Sequence, residues 1–103
     1  MMPISDVQVS FDVHSVNGTT LVVPYVVAAG DAKLAYVLTV IKTGSSGQSN
    51  ASQSGNLAMR AGERRAVSRL VMSLQKGDSC DASLALSQPG EAAKTFTADC
   101  SLK

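Results

Sequence analysis

Val7, Val9, Phe11 and Val13 alternate with Gln8, Ser10, Asp12 and His14, and a strict period of two fits a strand that buries one face. Asn17-Gly18 follows as a turn that tolerates positive φ, and Thr19 to Val27 reads as a second strand rich in β-branched residues. Pro24 marks an edge or a bulge, because it cannot donate to a ladder. Ala28 to Asp31 turns the chain again. Leu34 to Lys42 is apolar on both parities, as expected of a central strand covered on both faces or of one whose outer face meets a partner.

An abrupt change comes next. The segment from Gly44 to Gly55 is wholly polar apart from Ala51 and predicts a turn at Ser45-Ser46, then a short polar strand through Gln48 to Gln53 at a sheet edge. Between Ala58 and Lys76 two readings compete. Val67, Leu70, Val71 and Leu74 fit helical spacing, whereas Ala66, Ser68, Leu70, Met72 and Leu74 alternate with Arg65, Val67, Arg69 and Val71 as in a strand. Lys76-Gly77-Asp78 is a turn, Cys80 to Gln88 a strand, Pro89-Gly90-Glu91 a hairpin loop and Lys94 to Leu102 the last strand. If Ala58 to Lys76 holds a strand, seven short strands separated by turns predict an all-β chain, a single immunoglobulin-like antiparallel β-sandwich over residues 1–103. With 45% hydrophobic residues and no Trp, its core is built from Val, Leu, Ile and Ala.

Lys42, Gly44, Gly47-Gln48-Ser49, Gln53, Leu57 and Ser68-Arg69-Leu70, flanked by the two apolar runs, resemble the curli-assembly inhibitors of the CsgC/CsgH type. These are small periplasmic bacterial proteins that stop curli amyloid subunits polymerising before secretion. Ala32 and Leu34 stand where CsgC proteins carry a Cys-x-Cys motif, so the CsgH branch is the nearer match. The resemblance implies the same immunoglobulin-like fold and favours a strand over a helix between Ala58 and Lys76. It also implies a periplasmic location and the unfolded curli major subunit as a transient partner. By carry-over, Lys42, Gln48, Ser49, Gln53 and Arg69 become candidate contacts, with Gly44 and Gly47 as the structural turn.

The charge distribution adds to that set. Net charge is only +1, which argues against bulk nucleic-acid binding. Residues 42–76 nevertheless hold Lys42, Arg60, Arg64, Arg65, Arg69 and Lys76 against Glu63 alone, a local net of +5. On a continuous strand Arg65 and Arg69 share a face with Val67 and Val71, and Arg60, Arg64 and Lys42 extend that surface if their strands are neighbours. Such cations either solvate an edge that must not aggregate or hold the edge of a β-forming client by charge and hydrogen bonds while resisting cross-β stacking. No apolar run reaches the roughly 18 residues that cross a membrane as a helix, and a monomer without membrane contacts is expected. Met1 to Asp6 lacks a basic n-region and an apolar h-region, so an exported protein is expected to be represented here by its mature form.

Centring the last hairpin on Gly90 sets Cys80 opposite Cys100, Ala82 opposite Ala98 and Leu84 opposite Phe96. A disulfide there closes a loop of about 20 residues and contributes about 3 kcal/mol; two buried free thiols are the alternative. Catalysis has little support. His14 is the only His, so a Ser-His-Asp triad or a His-based metal site lacks its parts. Gly44-Ser-Ser-Gly47 has neither phosphate-loop spacing. Neither enzyme activity, a cofactor nor a metal is expected. The alternative function is an immunoglobulin-like binding module of a secretion or adhesion assembly, joined to its partner by strand addition.

Overall fold

The alternating first segment pairs with the second. In the computed structural model, which describes residues 7–45 and 47–101, β1 (Val7–Val16) and β2 (Thr19–Ala28) run antiparallel from Val7 opposite Ala28 to Val16 opposite Thr19. Asn17 and Gly18 turn the hairpin with φ of 53° and 79°, the two positive values that match the twist of the flanking strands. β3 (Ala32–Gly44), β4 (Gly47–Met59), β5 (Arg64–Ala66), β6 (Leu70–Ser73), β7 (Ser79–Ser87) and β8 (Lys94–Asp99) follow. β1, β2, β5 and β6 form one sheet, and the order β4-β3-β7-β8 forms the other. Since β5 and β6 both pair with β2, the eight segments occupy seven strand positions, in the order of an immunoglobulin-like sandwich. Leu102, the expected end of the last strand, Ser46 of the expected Ser45-Ser46 turn, and residues 1–6 lie outside the described residues.

The inward parity of each strand supplies the core. Val22 and Val26 from the first sheet meet Leu34, Leu38, Val40, Leu84 and Leu86 from the second, all fully or almost fully buried. β3 is the central strand that its apolar run implies, yet its outer parity is open, with Val37 45% exposed. Cys80 and Cys100 form a disulfide with a Cα–Cα distance of 4.8 Å. The register around it is the expected one, with Ala82 opposite Ala98 and Leu84 opposite Phe96.

Strand wins over helix between Ala58 and Lys76, because among the described residues this stretch forms the end of β4, then β5, β6 and non-helical connections. The strand is interrupted, however. Tyr25 faces Ala66 and Val22 faces Leu70, so two residues of β2 stand against three residues, 67–69. The extra residue is a bulge, and it sits beside Pro24, whose carbonyl accepts from the Val67 amide at 2.8 Å. A strand residue points its N–H and C=O to the same side, so the donor that Pro24 lacks would have faced this bulge. Pro24 therefore marks a bulge in the neighbouring strand and sits in an interior strand, not at an edge.

Candidate functional site

The bulge decides where the cations go. Arg65 pairs with Val26 on the core-facing parity, whereas beyond the bulge Leu70 pairs with Val22 on that same parity. Val67 is consequently buried while Val71 is 62% exposed. The single row of Arg65, Val67, Arg69 and Val71 expected of an unbroken strand does not form, because one inserted residue exchanges the two faces. Arg64 lies on the outer face of the first sheet, 4.0 Å over the Tyr25 ring, a cation–π contact. Arg60 is exposed in the turn before β5, and Arg69 is exposed within the bulge.

What the fold assembles instead is a flank. β4 and the β5–β6 strand are the adjacent edges of the two sheets, and three ties cross between the sheets along that side. Arg65 donates from Nη1 to the Ala58 carbonyl at 2.8 Å. Ser68 Oγ donates to Gln53 Oε1. Lys42 Nζ donates to the Ser73 carbonyl at 3.0 Å. Arg65, Arg69 and Lys42 thus follow one another along a side of the sandwich, with Arg60 and Arg64 at one end. Lys42 and Arg65 are half-buried, each committed to a carbonyl.

β4 forms the other half of the flank. It pairs with β3 over thirteen positions without a bulge, from Ala32 opposite Met59 to Gly44 opposite Gly47, far longer than the polar strand over Gln48 to Gln53 that composition suggests. Leu57 and Met59 reach the core and anchor one end. Gln48, Ser49 and Gln53 are all exposed, Gln48 on the outer parity and Ser49 and Gln53 on the inner. The hairpin that starts β4 needs its glycines: Gly47 has φ 116°, a conformation unfavourable for other residues. A Cβ on Gly44 would collide with the Asp78 carboxylate, which accepts from the Gln75 amide at 3.0 Å. Sequence reasoning missed Tyr25 as the seat of Arg64; the alternation that carries Tyr25 to the outer face was the available signal.

Residues 2–95 match the Tafi-CsgC family, described as thin aggregative fimbriae synthesis protein. Among curated proteins, none matches this chain by sequence. Two solved structures share its fold over most of their length. The solution structure of CsgH from R. palustris is 24% identical, covering 91% of this chain and 92% of that one, with a TM-score of 0.73. The E. coli curli protein CsgC is 19% identical, covering 88% and 96%, with a TM-score of 0.76. With the family match running from the first strand into the last, this chain belongs to the Tafi-CsgC family of thin aggregative fimbriae synthesis proteins.

Proposed function

We propose that this chain is a periplasmic, chaperone-like inhibitor of curli polymerisation, which meets the unfolded major subunit in brief, charge-guided encounters and raises the barrier to nucleation. The observation that carries the reading is the flank: Arg60, Arg65, Arg69 and Lys42 stand beside an exposed polar edge strand in a member of a curli-associated family. Exposed cations attract a client over a screening length of about 8 Å at physiological salt, and steering of this kind speeds encounter by roughly ten- to a thousandfold. The client-contact set is Lys42, Gln48, Ser49, Gln53, Arg60, Arg64, Arg65 and Arg69.

Raising the salt from about 0.05 M to about 0.5 M is expected to increase the amount of protein needed to delay fibre formation by about tenfold. Reversal of the two freely exposed cations, Arg60→Glu with Arg69→Glu, is expected to do the same at low salt while leaving the fold intact. A thioflavin lag time indifferent to both changes would remove the charge-guided mechanism. The length of β4 favours one second reading, a binding module that adds a partner's strand in a lasting complex. Co-elution with the partner in size-exclusion chromatography separates the two, since an inhibitor of nuclei acts without co-eluting.

A further inference from the structure

Sheet edges are open templates for another strand, and folded proteins guard them with charge, proline, bulges or brevity. Three of the edges here are guarded. β1 carries Asp12, the β5–β6 edge carries Arg64, Arg65 and the bulge, and β8 is only six residues long. β4 is the exception: Gly47 to Met59 contains no charged residue and no proline, and its pairing with β3 is free of bulges.

The direction of its free hydrogen-bonding groups follows from two observations. The Ala58 carbonyl accepts from Arg65 and so faces away from β3. At the other end Gly44 and Gly47 close the β3–β4 hairpin opposite each other, and in a two-residue hairpin that closing pair is mutually hydrogen-bonded. Both put the odd-numbered residues of β4 in the ladder with β3. Gln48, Asn50, Ser52, Ser54 and Asn56 then present both backbone N–H and C=O to the open edge, all five residues exposed.

We propose that this outer edge of β4, from Gln48 to Asn56, is a docking strand for an extended segment of another chain, polar, free of Lys and Arg, and rich in Asn, Gln and Ser. The inference deepens the function proposed above and rests on it for the identity of the client. Main-chain pairing supplies the affinity of such augmentation, and amide side chains on neighbouring strands stack into hydrogen-bonded ladders. Charge selects the occupant. In an antiparallel pair of β4 strands from two copies, the Lys42 end of one would lie beside the Arg60 and Arg65 end of the other, cation against cation. A neutral or acidic client meets no such repulsion and gains from the same cations.

The test uses the intact protein with freshly unfolded curli major subunit as probe. Ser54→Pro removes an outward N–H without touching the β3 ladder, Ser54→Glu adds an edge charge that repels an acidic strand and that a neutral one does not pair, and Ser54→Ala keeps the backbone donor. The proline and glutamate variants are expected to lose about tenfold in inhibitory potency and the alanine variant to match the wild type. Amide exchange at Gln48, Asn50, Ser52, Ser54 and Asn56 is expected to be fast in the protein alone and to slow when the probe is added. Equal potency of all four proteins, with those amides unprotected, overturns the docking strand and leaves the inhibitor reading standing. Protection by the probe without any delay of fibre formation keeps the docking strand and removes the inhibitor reading. Protection in the protein alone, with a doubled mass, makes a second copy the occupant and overturns the inference. Should Ser54→Pro unfold, the glutamate variant and the exchange pattern decide.

Discussion

Replacing both Cys80 and Cys100 by alanine is expected to lower the unfolding free energy by about 3 kcal/mol, which for a domain of this size lowers Tm by roughly 12 to 24 °C. The bridge joins residues twenty apart, and a loop of that length sets the scale of the entropy removed from the unfolded chain. Its location adds to the effect. Cys100 follows directly on β8, an edge strand of six residues, so the bond fastens the element with the least pairing of its own in that sheet. Both sulfur-bearing residues are fully buried, and the truncation also leaves a small void. Thermal unfolding of the variant beside the wild type, with and without reductant, checks the value. A difference below about 1 kcal/mol would show that the unfolded chain is already constrained there or that the native bridge carries compensating strain.

Leu38→Ala is expected to cost about 3 to 5 kcal/mol, the upper part of the range for buried Leu truncations. Leu38 is fully buried at the middle of β3 and lies directly opposite Leu84 of β7. Leu34, Val40 and Leu84 around it belong to strands paired on both sides, so the backbone cannot collapse into the space left. The neighbouring residue supplies the control. Val37 is on the outer face of the same strand and 45% exposed, and Val37→Ala is expected to change stability by no more than about 0.5 kcal/mol. Chemical denaturation of the two variants tests the assignment of faces along β3, because a one-residue shift of register would reverse their order.

Much of this architecture was legible because it is written in local chemistry. The Val7 to Val13 alternation and Asn17-Gly18 specify a hairpin within one stretch of chain, and Gly90 with two cysteines at equal distance from it specifies the last one. Contacts between distant segments were less legible. Nothing near Arg65 announces the bulge after Ala66, since its partner is Pro24 in a strand far away in sequence. One extra residue there leaves Val67 inward, turns Val71 outward and takes Arg69 off the single face that an unbroken period of two would have given it with Arg65. The full length of β4 was illegible for a related reason. Its polar residues look like a loop until β3 provides thirteen partners, and Leu57 and Met59 show their core-facing role only in that register. Lys42 and Arg65 were recognisable as cations of a basic region, but their commitment to the Ser73 and Ala58 carbonyls depends on how the two sheets stack.

Stability and charge bear on the central claim only through the client. The most direct measurement follows fibre formation by purified curli major subunit with this protein added at about one molecule per hundred subunits, a ratio at which only rare nuclei, not every monomer, can be engaged in cross-β assembly. The account predicts a lag time lengthened several-fold at low salt. A lag unchanged from that of the subunit alone, with the disulfide-bonded sandwich intact, would contradict it.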